Sequence, residues 1–248
     1  IMMREEAFFN RVVYGGIAYK IGENEPYTGK FICKYANEEI KEEEEYIAGV
    51  KEGKALKYYP QGQLRESSEF INGKLNGDFL LFYSNGQLEE YMMFKDNKIN
   101  GEWVKYYEDG NIKMRAFFKN GKLNGKKIIY YPNGKIKESI SFKNNLLHGK
   151  YITYYENGNI ESIRNYNSTL LNGKVEYYYE NGELEIKEEY KNHIRNGKYI
   201  KYYSNGIINA VGNFKDGKLA GDWSIFYENG KLLGNAYFIN GEISQEAS

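Results

Sequence analysis

The chain has 248 residues and carries 34 Lys+Arg against 34 Asp+Glu, so it has no net charge at neutral pH. That balance excludes the basic surplus that nucleic acid or an anionic surface would call for, and equally the acidic surplus of a solvating tail. Tyr and Phe number 26 and 13, and 27 Gly stand beside three Pro, the composition of pleated strands joined by turns. Cys33 is the only cysteine, which excludes an intramolecular disulfide framework, and no apolar run is long enough to cross a bilayer as a helix.

Taken in chain order, the opening residues Ile1-Met2-Met3-Arg4-Glu5-Glu6-Ala7 do not read as a signal peptide, because an acidic pair stands where the apolar segment belongs. A leader removed upstream would leave no trace, so both a cytoplasmic and an exported location stay open. Residues 1–28 read as a cap segment. Within it Val12–Tyr19 predicts a hairpin turning at Gly15-Gly16, and Glu23–Gly29 a linking turn.

Residues 29–244 read as nine hairpin repeats with a 24-residue period. Tyr35, Tyr59, Tyr83, Tyr107, Tyr131, Tyr155, Tyr179, Tyr203 and Tyr227 recur at that step without an insertion or deletion. Glycines keep the same step from Gly29 to Gly221, an Ile or Leu series runs from Ile40 to Leu232, and an aromatic series runs from Tyr46 to Phe238. Four series in phase over nine copies establish the repeat.

The unit Gly101–Asn124 shows how each copy folds. Glu102–Tyr107 forms a first strand, and Ile112–Lys119 forms a second with Ile112, Met114, Ala116 and Phe118 on one face. Between them lies Asp109-Gly110, which reads Asn-Gly in most copies (Asn85-Gly86, Asn133-Gly134) and predicts a type I′ turn. A second corner, Asn120–Gly125, leads to the next unit. Its Gly is replaced at Asn97, Asn145, Thr169 and His193, which predicts a less constrained turn. Helix is disfavoured, since turn pairs fall every dozen residues and apolar positions alternate. The fold class expected is all-β: tandem hairpins forming one elongated, twisted, single-layer antiparallel sheet, on the order of 85 Å long for eighteen strands. The first unit is degenerate, with Glu42–Glu45 in its second strand, a run read as edge protection ahead of an acidic docking patch. Residues 245–248 read as a frayed tail.

The unit G-x-[WFY]-x-x-Y-Y-x-N-G-x-[IL]-x-E-x-x-x-F-x-N-G-K-L-N, fullest in Gly77–Asn100 and Gly101–Asn124, resembles the bacterial variant of the MORN repeat. The lead-in Glu25–Lys30 is similar to the approach to the first repeat in the same proteins. The resemblance covers about residues 10–244 and implies a hairpin-repeat fold with a protein-interaction role. Many bacterial members look like the YwqK-type antitoxin family, which implies neutralisation of a partner toxin. It brings no catalytic residue set and no cofactor.

No enzymatic constellation competes with that reading. His148 and His193 stand 45 residues apart and read as surface turn residues, so no metal site is expected. Cys33 reads as a half-buried strand residue, and Glu42, Glu66, Glu90 and Glu138 as a solvated row pairing with lysines across the ladder. The repeated tyrosines are read as structural. Trp103, Tyr151, Tyr199 and Trp223 are the candidate binding residues, an aromatic row that either packs between hairpins or is exposed. Two functions follow: a scaffold or inhibitor gripping a protein partner on the sheet face, or an exported module stacking on glycans or a host surface. The partner expected is a protein, with neither nucleic acid nor an integral membrane segment involved, and the end strands leave room for self-association.

Overall fold

The computed structural model describes residues 4–244, and strand makes up 67% of the chain, with no α-helix among the described residues. The fold class is all-β, built from tandem, mostly antiparallel hairpins. Residues 245–248, read as a frayed tail, lie outside the described residues. The chain divides into two units, Ile1–Lys122 and Leu123–Ser248.

In the first unit β1 (Glu5–Ala7) is followed by the hairpin β2 (Arg11–Tyr14) and β3 (Ile17–Lys20), and then by β4 (Gly29–Lys34) and β5 (Ile40–Ile47). The repeats continue as β6 (Val50–Tyr58), β7 (Leu64–Ile71), β8 (Lys74–Phe82), β9 (Leu88–Lys95), β10 (Lys98–Tyr106) and β11 (Ile112–Lys119). From β4 to β11 each strand pairs antiparallel with the next. Gly101 faces Phe118, Trp103 faces Ala116 and Lys105 faces Met114. The same register holds in the degenerate first hairpin, where Gly29 faces Tyr46. The second unit repeats it, from Gly125 opposite Phe142 to Gly221 opposite Phe238.

The start of the array is closed by contacts the sequence did not announce. β1 runs parallel to β4, pairing Glu5, Glu6 and Ala7 with Lys30, Phe31 and Ile32. The Gly15-Gly16 hairpin docks through Ala18, whose N–H donates to Gly49 O at 2.7 Å while its carbonyl accepts from Tyr27 N–H at 2.9 Å. Ala18, Tyr27, Phe31 and Tyr46 bury one another there, with Phe8 packed alongside.

The two corners exchange the roles expected of them. At the Asn-Gly corner only the glycine has positive φ, 85° at Gly86. Tyr83 O accepts from Gly86 N–H at 2.9 Å, and Tyr83 N–H donates to Gln87 O at 2.8 Å. That pattern is a three-residue loop closed by a glycine bulge, not a type I′ turn. The asparagine is selected for its side chain instead. Asn85 Oδ1 accepts from Gln87 N–H at 2.9 Å, and Asn85 Nδ2 donates to Glu108 O one repeat onward at 3.2 Å.

The second corner is the type I′ turn, with positive φ at both residues: 52° and 76° at Asn120-Gly121, 49° and 73° at Ser168-Thr169, 50° and 68° at Asn192-His193. It is therefore tightly constrained rather than relaxed. Where Asn or His replaces Gly, the new side chain reaches back one repeat: Asn97 Oδ1 accepts from Leu75 N–H at 2.7 Å, and His193 Nδ1 from Leu171 N–H at 3.4 Å. Because this turn spans two residues, β10 begins at Lys98, ahead of the predicted Glu102. The register then shifts between Ile99 and Trp103. The repeat glycine sits at this bulge; at Gly77, φ is 119° and a Cβ would lie 2.4 Å from Glu69 Oε2.

Burial concentrates on one face of the hairpins, the face of the residue two after each repeat glycine. Phe31, Ala55, Met114 and Ala116 are buried there in the first unit, as are Ile140, Ser162, Val175 and Glu188 in the second. Val104 is a buried residue on the opposite face.

Candidate functional site

That more buried face carries the aromatic row, and the register decides each contact. The aromatic residue two after the glycine lies near the one seventeen after it, giving edge-on pairs at Phe79–Phe94 (5.9 Å) and Tyr199–Phe214 (5.7 Å between ring centroids) and a tilted pair at Trp103–Phe118 (5.8 Å). Aromatic pairs in this geometry add to simple burial.

Trp103 is half-buried, donates from Nε1 to Glu90 Oε2 at 3.1 Å, and lies 5.0 Å below Lys105 Nζ. Lys105 in turn pairs with Glu90 Oε1 at 2.5 Å. Tyr151 donates to Glu138 Oε2 at 2.7 Å, and burial, followed by that hydrogen bond, pushes its hydroxyl up to about 12. The glutamate row is thus engaged with its neighbours: Glu66 holds Lys57 at 2.8 Å, Glu90 holds Lys105 and Trp103, and Glu138 holds Tyr151.

Tyr199 and Trp223 are brought together. Their rings lie 5.5 Å apart and inclined by 30°, with Phe214 edge-on to Trp223 at 5.3 Å. The indole covers Gly212, where a Cβ would stand 2.1 Å from Trp223 Cδ2, and its Nε1 donates to Asn213 O at 3.1 Å. Burial raises the Tyr199 hydroxyl above the usual range.

One repeat further on the small residues recur as Gly234 and Ala236, without an indole over them. A mainly apolar depression of about 500 Å3 opens there, walled by Trp223, Phe238, Leu219 and Ile225. Trp223 was singled out from sequence, whereas its surroundings were not. Aligning the copies would have shown glycine and alanine where others carry Glu, Met or Ile.

The other candidates fall out as strand and corner residues. Cys33 is half-buried in β4, opposite Glu42. His193 serves its corner, and His148 lies within the strand Leu146–Tyr154, exposed, rather than in a turn. No group of three His, Cys, Asp or Glu among the described residues is arranged to hold a metal ion. Among the same residues no helix is long and apolar enough to cross a membrane.

Compared with known families, the chain matches the model described as "MORN repeat variant" in eight segments: residues 51–72, 75–96, 99–120, 123–144, 147–168, 171–192, 195–216 and 219–240. The chain belongs to the MORN repeat variant family. Such repeats are generally non-enzymatic modules that mediate protein interactions. The matched segments begin after the hairpin β4–β5, which shares the MORN-repeat register although its turn lacks the Asn-Gly pair. No curated protein matches the chain. Among solved structures, the crystal structure of TcdB2-TccC3 matches at 12% identity over 88% of this chain and 14% of that chain, with a TM-score of 0.22. That of TcdB2-TccC3-Cdc42 matches at 11% identity over 92% and 15%, with a TM-score of 0.19. The MORN-repeat chain thus spans a small part of their length, and at these scores the likeness carries no argument.

Proposed function

We propose that this MORN-repeat chain is a non-catalytic scaffold or inhibitor that grips a partner protein on its aromatic face. The observation that carries this reading is the apolar depression floored by Gly234 and Ala236 and walled by Trp223 and Phe238. A concave apolar seat beside a rigid indole is the environment in which a partner's anchoring side chain gains most. Trp103, Tyr151 and Tyr199 extend the same kind of surface through other repeats. Within this reading, the role of antitoxin rests on the resemblance of the repeat unit to the YwqK-type family. The glycan reading has less support, because Trp103 and Tyr151 direct their polar edges to Glu90 and Glu138.

The test is capture from the native source with the full chain and with Ala236→Trp, which fills the depression from an exposed edge. A protein retained by the wild type and lost by the variant, at equal melting temperature, is the expected result. Equal retention, or glycan-array binding with no protein retained, overturns the reading. Light scattering on the same samples reports end-to-end self-association.

A further inference from the structure

The opposite face of the second unit carries a surface that the proposed function does not use. Lys126, Lys150, Lys174 and Lys198 each follow a repeat glycine and are exposed. The register puts them on one face: they stand opposite Ser141, Asn165, Glu189 and Asn213. Ile152 faces Ser139, Glu176 faces Ile163 and Ile200 faces Lys187, which joins the strands of that face in sequence. None of the four lysines has an ion pair among the described residues. Among the described residues, the one ion pair on this stretch of the face is Lys187–Glu176 at 3.2 Å. The first unit differs at the same repeat position, which reads Lys30, Lys54, Asp78 and Glu102, and Lys30 is held by Glu43 and Glu45. The unpaired row is confined to the second unit.

Beside the lysines run half-buried Ile128, Ile152, Glu176 and Ile200, and beyond them Tyr154, Tyr178 and Tyr202. A shallow depression of about 290 Å3 lies between Lys174 and Lys198, with Lys187, Glu189, Ile200 and Tyr202 in its wall. The surface therefore carries unpaired lysines along one line, interrupted by the carboxylate of Glu189, and is mainly apolar to aromatic along the next, where Glu176 is neutralised by Lys187.

Successive lysines of the row are two strands apart, about 9.5 Å. A polyproline II segment completes one turn of three residues in about 9.3 Å, so residues three apart point the same way at that interval. The remaining residues of each turn then meet the Ile and Tyr rows, and aromatic-lined grooves of this kind accept such segments. Duplex nucleic acid fits worse, since each of its strands carries a phosphate about every 3.4 Å of helix axis. We propose that this face binds an extended acidic segment of a protein partner, with a carboxylate at every third residue.

The test uses the full chain and fluorescein-labelled twelve-residue peptides, read by anisotropy at low and moderate salt. The peptides are (Glu-Pro-Pro)4, (Gln-Pro-Pro)4, and a Glu/Pro peptide of the same composition with its four Glu clustered. Expected are binding of (Glu-Pro-Pro)4 that weakens as salt rises, and at least tenfold weaker binding of the other two. A tenfold or greater loss is also expected for Lys150→Gln/Lys174→Gln, whose exposed positions leave the melting temperature unchanged. The proposal is overturned by no binding of (Glu-Pro-Pro)4, by equal binding of the clustered peptide, or by binding that survives the double substitution. It is equally overturned if polygalacturonate or phosphatidylserine vesicles bind through the same lysines while the peptide does not.

Discussion

The hydroxyl of Tyr131 donates a 2.7 Å hydrogen bond to the carbonyl oxygen of Tyr154, 23 residues onward in the next repeat. The same tie joins Tyr35 to Tyr58, Tyr59 to Phe82, Tyr83 to Tyr106, Tyr155 to Tyr178, Tyr179 to Tyr202 and Tyr203 to Phe226. The repeated tyrosine is thus a rivet between neighbours as well as a packing ring. Tyr131→Phe keeps the ring and strands the acceptor, so it should destabilise by about 1 kcal/mol. Tyr131→Ala also removes a half-buried ring and should cost about 2–3 kcal/mol. Lys135→Ala, on the exposed turn, should stay within about 0.5 kcal/mol. Urea unfolding of the three variants checks the order; equal effects would sink the rivet.

The second corner stores strain where Gly is absent. Thr169 holds φ at 73°, a region that costs a side-chain-bearing residue roughly 1–2 kcal/mol and a β-branched one more. Thr169→Gly keeps the 2.8 Å bond from its N–H to Leu147 O. It should raise stability by about 0.5 kcal/mol or more, after the entropy that glycine adds to the unfolded chain. Gly86→Ala, at the other corner, should lower it by about 1 kcal/mol. A downward shift of the urea midpoint in Thr169→Gly would refute the assignment of strain.

These two corners show what could be read in advance. The strand Ile112–Lys119 was expected at its observed limits because period-two alternation and the 24-residue step both survive in the letters. Which corner holds positive φ at both residues did not survive, because Asn serves either a left-handed backbone or a side-chain bridge. Asn85 is the second kind and Asn120 the first. Nor was the 23-residue Tyr bond legible, since a period does not say which carbonyl stands next to which ring. β1 was missed because Glu5-Glu6-Ala7 is short and polar, and its pairing with β4 is supplied by the edge it covers.

Acid should loosen the first unit at one buried carboxylate. Burial alone would raise Glu44, but hydrogen bonds and charge from Lys51, with Tyr46 and Arg11, outweigh it and hold the group below its ordinary 4.5. Arg11 Nη1 reaches it at 2.5 Å from the cap hairpin. A carboxylate depressed on folding contributes stability above its unfolded value, and loses that contribution as pH falls through the lower folded value. The melting temperature should therefore drop as pH falls below about 4.5, and Glu44→Gln should flatten that limb. Tyr46, raised to about 12 by burial and then by its bond to Glu44, sets the opposite limit. Its contribution is intact below 10 and is lost as pH rises through 12. An acid limb unchanged in Glu44→Gln would exclude Glu44 as its source.

Glu188 offers a test with its own control written into the chain. It is 2% exposed, accepts from the Tyr190 hydroxyl at 3.0 Å, and faces Arg195 Nε at 2.8 Å without hydrogen-bond alignment. Arg195 also lies over Phe214, 5.2 Å from the ring centroid. The corresponding positions in other copies hold Ile140 with Leu147, or Met92 with Ile99, apolar pairs on the same backbone. Arg195→Leu alone leaves a buried carboxylate without its cation and should destabilise by about 2–4 kcal/mol, the lower end reflecting how exposed the arginine is. Glu188→Ile/Arg195→Leu installs the apolar pair that two repeats away already packs, and should recover to within about 1 kcal/mol of the wild type. The two singles and the double form a cycle whose coupling is read by urea unfolding. Additive effects would mean that the Glu188–Arg195 pair is not a unit, and that the aromatic face tolerates a lone buried charge.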